Sequence, residues 1–448
     1  MKNKTKKYKH CHNKTKKGGK VIASGGYGCV FSPSLVCQGS TKRLPNQISK
    51  IMTTNHAIDE YDYIKHIYAK LNSIPNYKDY FLIYNVSMCT PAKLSNKDLT
   101  HFKKCSALKK KHITKDTINN HLDKLRILNL PNGGVPVDDF LYDDGSYEKM
   151  FKVHTLLVHL LKHGIVPMNK LHIYHSDIKD SNILIEPSAK EKARLIDWGL
   201  SVEYHGSQFP QNWKNRPLQF NVPFSILLFS DSFYEKYTAY LKQGGTLSLQ
   251  ELNIFVLDYL IHWNKTRGAG HYKFINEILY LLYHKKFKHI HETKKALILE
   301  TEITIPYIVN YLSHVLIHYT KWKEDGTLNL RDYLNEVFVK IIDIWGLIMA
   351  YFPMLEIFSN HQDDNLEAFE HLSELFYTYL FKPRHEPIDM DQLYKDLDKL
   401  GNYINKNHHL QYHYENSVNG GGINRSMFIR KKSVKHFQRP FLLSFNNK

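Results

Sequence analysis

Hydrophobic and polar positions alternate in short runs near the N-terminus, a pattern typical of β-strands. Such runs flank the glycines at 25–28 and occur again at Gln47–Met52 and Leu125–Leu130. Further along the chain, apolar residues recur at helical spacing over longer stretches. The helices predicted from this spacing are Ala57–Leu71, Leu252–Trp263, Tyr272–Tyr283, Ile305–Tyr319, Val337–Phe352, Leu366–Phe381 and Met390–Ile404.

Composition limits the size of the core and the kinds of site. The chain has 448 residues, of which 42% are hydrophobic, enough for two or three domains with sizeable cores. Five cysteines, odd in number and without a C-x-x-C pair, predict neither a disulfide framework nor a zinc site. No apolar segment follows the basic N-terminus, so an intracellular location is expected. Charges in and beside Val337–Phe352 leave it shorter than the ~20 residues of a membrane span, which favours burial in a protein core.

Candidate chemistry is concentrated in the sequence His175-Ser176-Asp177-Ile178-Lys179-Asp180-Ser181-Asn182, followed by Asp197-Trp198-Gly199. Two short β-type runs, Ile183–Ile185 and Arg194–Ile196, separate the two motifs and predict a hairpin that returns Asp197 to Asn182. Phosphoryl transfer needs one carboxylate to orient a hydroxyl, and an amide and a second carboxylate to hold Mg²⁺. The alternative interpretation is a solvated loop in which Asp and Asn only make turns. The order and spacing of these residues favour the catalytic interpretation over that alternative.

The two motifs resemble the catalytic and metal-binding loops of the eukaryotic-type protein kinase family. The resemblance implies that Asp177 is the catalytic base, that Lys179 reaches the transferred phosphate, and that Asn182 and Asp197 hold the metal. The lysine is similar to that of serine/threonine kinases. Ser176 stands where the family often has arginine, and Trp198 replaces a phenylalanine. Without that arginine we expect activity that does not need phosphorylation of the activation segment.

The same resemblance implies an ATP site in the N-terminal part of the chain. Its glycine-rich loop would be Ile22-Ala23-Ser24-Gly25-Gly26-Tyr27-Gly28-Cys29-Val30, in which glycines adopt positive φ and let the backbone approach phosphates. Alone, this sequence is as typical of an ordinary glycine hairpin. Lys50 would contact the α- and β-phosphates and pair with Glu60, although ten residues is a short interval for the family. Leu128 would guard the back of the adenine pocket, and backbone groups near Asn129–Pro131, including Leu130, would bind adenine.

On the large scale, the resemblance implies an α+β, bilobal protein-kinase-like fold. It has a small β-rich N-lobe (21–130) with an insertion at about 72–124, and a helical C-lobe (131–410) with a helical insertion at about 230–335. Within the first insertion we expect a strand at Tyr80–Val86 and a basic polar stretch at Lys103–Lys115. Asp343 would cap the backbone of the catalytic loop. Residues 197–225 would form the activation segment, which lacks the family's closing glutamate, so the partner of Arg384 is not identifiable.

Both ends of the chain are basic, within a formal net charge of +18. Residues 1–20 are expected to form a disordered arm and 411–448 a basic tail, either of which could bind nucleic acid or an anionic surface. The lysine-rich composition equally fits an AT-rich genome. We expect a serine/threonine kinase that uses ATP and Mg²⁺ on protein substrates, some of them acidic. A small-molecule or lipid kinase and a non-catalytic scaffold are the alternatives. The insertions and composition also resemble kinases of large DNA viruses, which would place the protein in the virion or infected cytoplasm.

Overall fold

A computed structural model describes residues 19–186, 191–245, 248–283, 294, 297–321, 327–360 and 362–419 of the chain. The protein is a mixed α+β structure, with a small antiparallel sheet near the N-terminus and a helical C-terminal region. This confirms the α+β part of the predicted fold class, whereas the bilobal protein-kinase-like fold stays a prediction. Residues 1–18 and 420–448, which include most of the expected basic arm and tail, lie outside the described residues.

The N-terminal sheet has five strands in the order β1-β2-β3-β5-β4, and neighbouring strands are antiparallel. The strands are β1 Lys20–Ser24, β2 Gly28–Ser32, β3 Gln47–Thr53, β4 Ser87–Cys89 and β5 Leu125–Pro131. The predicted strands on both sides of the glycines, at Gln47–Met52 and at Leu125–Leu130 are therefore confirmed.

The predicted helix after β3 is confirmed and begins earlier than expected. It spans Thr54–Leu71, directly after the last strand residue, and is called α1. Ala57, Ile64, Ile67 and Leu71 form its buried face. Because helix follows strand without a loop, a position only ten residues after Lys50 already lies in the second turn of α1.

The insertion at 72–124 folds back onto the sheet and builds a second core. The expected basic polar stretch Lys103–Lys115 is not simply polar, because its Ala107, Leu108 and Ile113 are buried with side chains of β1 and β2. The predicted strand Tyr80–Val86 is wrong. In that stretch Phe81 makes one isolated bridge to Leu195, and the strand of this region is β4.

The cysteine prediction is also wrong, because disulfides join Cys29 to Cys105 and Cys37 to Cys89. The partners are 76 and 52 residues apart. They meet because the insertion packs against the sheet, an arrangement that the spacing of cysteines along the chain does not indicate. Disulfides are typical of oxidising environments, so the pairing bears on the expected intracellular location, which stays a prediction.

Short strands join the sheet to the helical region. β6 Val135–Pro136, β8 Ile183–Glu186 and β9 Lys192–Leu195 form one small sheet, while β7 Ile173–Tyr174 pairs with β10 Val202–Glu203. Ile183 lies opposite Leu195 in the antiparallel β8–β9 pair. The predicted hairpin between the two candidate motifs is therefore confirmed.

The helical region contributes most of the main core. Its longer helices are Tyr147–Leu160, Asp231–Lys242, Leu249–Arg267, Tyr272–Tyr283, Ile305–Tyr319, Val339–Met349, Phe352–Asn360, Gln362–Phe376 and Met390–Asn419. Each helix predicted in this part of the chain is present, and three of these longer helices were not predicted: Tyr147–Leu160, Asp231–Lys242 and Phe352–Asn360. Asp231–Lys242 and Leu249–Arg267 begin after Ser230 and Ser248, whose hydroxyls accept backbone N–H groups of the first turn. The described part of the expected 230–335 insertion is thus mainly helical, with one short antiparallel strand pair, Thr320–Lys321 and Thr327–Leu328.

The helix Val339–Met349, called the apolar helix, is buried along nearly its whole length. It belongs to the helical stretch Leu330–Asn360, which is long and apolar enough to cross a membrane but is mostly buried inside the protein. Among the described residues no other helix meets that length and composition. The expected role of this stretch as a core helix therefore agrees with the structure.

Candidate active site

Lys50 is the centre of a charged cluster between β3 and the start of the 197–225 segment. Its Nζ donates to both carboxylate oxygens of Glu60, at 2.8 and 2.9 Å, and to Oδ1 of Asp197 at 3.1 Å. Lys50 and Glu60 are largely buried, whereas 42% of the Asp197 side chain is exposed. The cluster therefore presents Asp197 to an open space beside the sheet.

The charges of this cluster depend on one another. Burial by itself would lower the pKa of Lys50, but the carboxylates of Asp197 and Glu60 outweigh it and raise that pKa. The same ammonium lowers the pKa of Asp197. Burial raises the pKa of Glu60 and Lys50 opposes that shift; bonds from Nζ to both of its oxygens favour the ionised pair. The cluster thus places one ammonium group between two carboxyl groups.

Asp177 lies in a second, neighbouring cluster, with a different set of donors on each oxygen. Oδ2 accepts from Lys179 Nζ at 3.0 Å and from Asn182 Nδ2 at 2.9 Å. Oδ1 accepts from Asn221 Nδ2 at 2.8 Å, and Nη2 of Arg216 lies 3.6 Å away. Asp177 is only 5% exposed, so its carboxylate is held in one orientation by these donors. A fixed carboxylate of this kind is suited to orient a hydroxyl group.

Asp343 on the apolar helix supports the loop that carries Asp177. Its Oδ2 accepts from His175 N at 2.9 Å and Asn169 Nδ2 at 2.7 Å, and its Oδ1 accepts from Ser176 N at 2.8 Å. Burial raises the pKa of this carboxyl and the N–H donors oppose the shift. Ser176 has a φ of 61°, an uncommon value for a non-glycine residue. Asp343 thus holds a turn that is unfavourable on its own, at the place where capping was predicted.

His175 and Trp198 pack together under the same loop. His175 Nε2 donates to Ile196 O at 3.0 Å, while its Nδ1 accepts from Asp177 N at 3.3 Å. Complete burial lowers the pKa of His175, and the two hydrogen bonds of its ring link the two motifs. Trp198 contacts this ring and Phe81, with centroids 4.7 and 5.7 Å away. Trp198 therefore fills a core position beside the site.

The β8–β9 hairpin brings the two expected metal ligands together. Ile196 N donates to Asn182 O at 3.0 Å, so Asp197 follows the residue that is bonded to Asn182. The amide nitrogen of Asn182 donates to the backbone oxygen and to Oδ2 of Asp177, so the amide oxygen points away from Asp177. An amide oxygen and a carboxylate are hard ligands that fit Mg²⁺ bound to phosphates and water. No group of three or more His, Cys, Asp or Glu side chains among the described residues is arranged as an all-protein metal site.

The glycine hairpin is formed by β1 and β2, with Gly25 N donating to Gly28 O at 2.9 Å. A Cβ on Gly28 would lie 2.7 Å from Ile51 O, so this glycine permits close approach of β3. Positions 25 and 26 have space for a Cβ, and none of Gly25, Gly26 and Gly28 has positive φ. The expectation of positive φ is therefore wrong, while Gly25, Gly26 and Tyr27 are exposed at the hairpin tip.

Residues of the hairpin divide between the two faces of the sheet. Ala23 lies opposite Val30, which in turn lies opposite Lys50, so these positions share the face of the charged cluster. Ser24 does not, because its Oγ accepts from the backbone N–H of Ser106 and lies 3.1 Å from that residue's hydroxyl. The Ser24 side chain thus contacts the 72–124 insertion and not the charged cluster. Ile22 is exposed beside a β-bulge.

Strand β5 provides the other wall of the space above Lys50. Leu128 is paired with Lys50 and is fully buried, and Leu130 is paired with Ile48. Asn129 points to the opposite face, where its Oδ1 accepts from Ser49 Oγ at 2.6 Å. Leu128 and Leu130 therefore lie on the same sheet face as Lys50, as their expected roles require.

Three residues of the 197–225 segment reach the loop that carries Asp177, although they were not predicted as site residues. Asn221 and Arg216 approach Asp177, and Trp213 Nε1 donates to Ser176 Oγ at 2.9 Å. No local motif marks them in the sequence. Arg384, for which a glutamate partner was sought, donates to Thr378 O at 2.5 Å and lies over the ring of Tyr379.

No family model and no curated protein sequence matches this chain.

Proposed function

We propose that the protein is an ATP-dependent kinase with a bilobal protein-kinase-like fold, which transfers the γ-phosphate of ATP to serine or threonine hydroxyls of proteins. The observation that carries the proposal is the contact of Lys50 with both Glu60 and Asp197. It joins a strand lysine, a helix glutamate and the aspartate of Asp-Trp-Gly, which are up to 147 residues apart. A chance cluster would not be expected to unite the residues of three separate motifs of one resemblance.

The proposed roles follow from the two clusters. Lys50 binds the α- and β-phosphates under the glycine hairpin, and Leu128 and Leu130 line the adenine pocket. Asn182 and Asp197 hold Mg²⁺, which would neutralise charge on the phosphates. Asp177 orients the acceptor hydroxyl, and Lys179, on the same carboxylate, offsets charge on the transferred group. Catalysis in such a site comes mainly from positioning and electrostatics.

The proposal is tested by incubating the purified full-length protein with γ-labelled ATP, Mg²⁺ and a panel of basic and acidic proteins, sugars and lipids. We expect label on protein, recovered as phosphoserine or phosphothreonine. Transfer to sugars or lipids alone would instead identify a small-molecule or lipid kinase on this scaffold. Absence of ATP binding and transfer would leave a non-catalytic scaffold. The Lys50→Met variant controls for a contaminating kinase, because it should lower labelling strongly.

A further inference from the structure

Arg216 is a buried cation whose hydrogen-bonding capacity is only partly used. The residue is 5% exposed, and its Nε donates to Gln219 Oε1 at 2.5 Å. Its two terminal nitrogens, Nη1 and Nη2, are buried and have no hydrogen-bond partner. Buried guanidinium N–H groups without acceptors are costly. The arrangement therefore lacks an acceptor at this place.

The side chain is aimed at the proposed catalytic carboxylate. Nη2 lies 3.6 Å from Asp177 Oδ1, which is beyond hydrogen-bond range. Asp177 is already paired with Lys179 through Oδ2 and bonded to Asn221 through Oδ1. Burial lowers the pKa of Arg216 to about 10, so it remains charged at neutral pH. Two cations, Lys179 and Arg216, thus lie beside the single carboxylate of Asp177, and Asp343 is a further acid whose charge acts on Arg216.

A second polar group from the helical insertion approaches the same place. His271, between the helices Leu249–Arg267 and Tyr272–Tyr283, donates its backbone N–H to Leu218 O at 2.8 Å. Its ring packs on Phe220, with centroids 5.3 Å apart, and its Nδ1 is buried without a partner. Burial and then the charge of Lys179 lower the pKa of His271. The insertion therefore contributes a polar group within electrostatic range of the catalytic loop.

The position of Arg216 favours the acceptor over the nucleotide as its ligand. The oxygen of Asp177 nearest Arg216 is Oδ1, whereas Lys179 and the metal-ligand candidate Asn182 contact Oδ2. Lys50 and Asp197 form the separate cluster assigned to the nucleotide. A planar guanidinium with two unused nitrogens matches the paired oxygens of a carboxylate or phosphate.

We propose that Arg216 is a specificity-determining residue that binds an anionic group of the acceptor, a carboxylate or phosphate next to the hydroxyl that is phosphorylated. This inference rests on the proposed kinase function and names the substrate class of that site. The acceptors are proteins in which an acidic or already phosphorylated residue lies near the target serine or threonine. The ligand completes the hydrogen bonds of the guanidinium and balances its charge.

The test uses the full-length protein and peptides that differ only beside one serine: alanine, lysine, glutamate or phosphoserine. For the unaltered protein we expect kcat/KM for the glutamate and phosphoserine peptides to exceed that for the alanine peptide by about 10- to 100-fold, as expected for a charged hydrogen bond. Arg216→Gln should remove most of this ratio. It should leave the Kd for ATP within about threefold, because the nucleotide is assigned to the separate cluster of Lys50 and Asp197. Arg267→Gln, an exposed arginine on a neighbouring helix, is the matched control and should keep the ratio.

Equal kcat/KM for neutral and acidic peptides would overturn the inference while leaving the kinase function intact. Loss of ATP affinity in Arg216→Gln would also overturn it, because the anion would then be a nucleotide phosphate. Failure of the protein to phosphorylate any peptide would overturn the kinase function itself. If Arg216→Gln does not fold, Arg216→Lys retains the charge without the planar fork and should give an intermediate ratio. The comparison of peptides with the unaltered protein decides the question in either case.

Discussion

Trp213 is bonded through its indole N–H to the hydroxyl of Ser176, 2.9 Å away, and is fully buried. Its ring contacts Tyr174, Tyr204 and Phe338, with centroids 5.3 to 5.8 Å apart. Ser176 occupies the position where the resembling family often has arginine. In this chain a buried aromatic side chain holds the 197–225 segment against the loop that carries Asp177.

This contact leads us to predict activity in the unphosphorylated protein. Trp213→Ala should destabilise the protein by about 3–5 kcal/mol, as for other buried aromatic side chains, and lower phosphoryl transfer at least about tenfold. Trp213→Phe keeps the packing and loses only the hydrogen bond. Its stability and its rate of phosphoryl transfer should therefore decrease much less than those of Trp213→Ala. Melting temperature and transfer are to be measured after phosphatase treatment. Activity of the unaltered protein that appears only after phosphorylation within 200–220 would contradict the account.

Glu60 should matter for nucleotide use because it orients Lys50. Glu60→Gln removes one of the two carboxylates that hold the ammonium. We expect kcat/KM for ATP to fall at least about tenfold, equivalent to about 1.4 kcal/mol. Asp62→Asn is the matched control, because it alters an exposed acid on the same helix. It should change kcat/KM for ATP less than about twofold. Equal effects of the two variants would mean that Glu60 has no part in the site.

The two disulfides should stabilise the N-terminal part of the protein. Closing loops of 76 and 52 residues corresponds to roughly 4 kcal/mol each by chain entropy. Reductant, or Cys29→Ser, should therefore lower the melting temperature. Cys11→Ser, a change outside the described residues, should leave the melting temperature unchanged. Mass spectrometry after alkylation without reductant should find one modified cysteine; five modified cysteines would show that neither bond forms.

His154 should make the protein less stable in mild acid. Burial lowers its pKa to about 4, whereas the unfolded chain takes up a proton near pH 6.5. Between these values the unfolded state binds more protons, so stability is complete above about pH 6.5 and decreases as pH falls toward 4. His154→Leu should reduce the loss in unfolding free energy from pH 7 to 5 by about 2 kcal/mol. His163→Leu, at an exposed position, should retain the full loss of unfolding free energy. Identical pH profiles of stability for the unaltered protein and His154→Leu would show that His154 does not cause the acid sensitivity.

The sequence predicts the local parts of the site and misses those that depend on long-range folding. Asp177, Lys179 and Asn182 lie in one short motif, and the β-type runs after them predict the hairpin that brings back Asp197. Arg216 and Trp213 have no such pattern around them, because their positions depend on how an irregular segment packs. The disulfides depend in the same way on an insertion that folds over the sheet.

Helix and strand types are predicted better than their boundaries. Apolar spacing identifies the helices that form the main core, since burial of one face determines it. It does not show that α1 starts at the end of β3, which is why the interval between Lys50 and Glu60 is short. Apolar spacing also fails to distinguish Tyr80–Val86 from a strand, because buried residues in an irregular segment give the same pattern.

Phosphoryl transfer by Asp177→Ala at saturating ATP and Mg²⁺, with the affinity for ATP measured in parallel, tests the central claim most directly. In the proposed function Asp177 orients the acceptor hydroxyl and belongs to a different cluster from Lys50. The rate should therefore fall about 1000-fold while the Kd for ATP changes less than about threefold. A variant that transfers phosphate as fast as the unaltered protein would contradict the account.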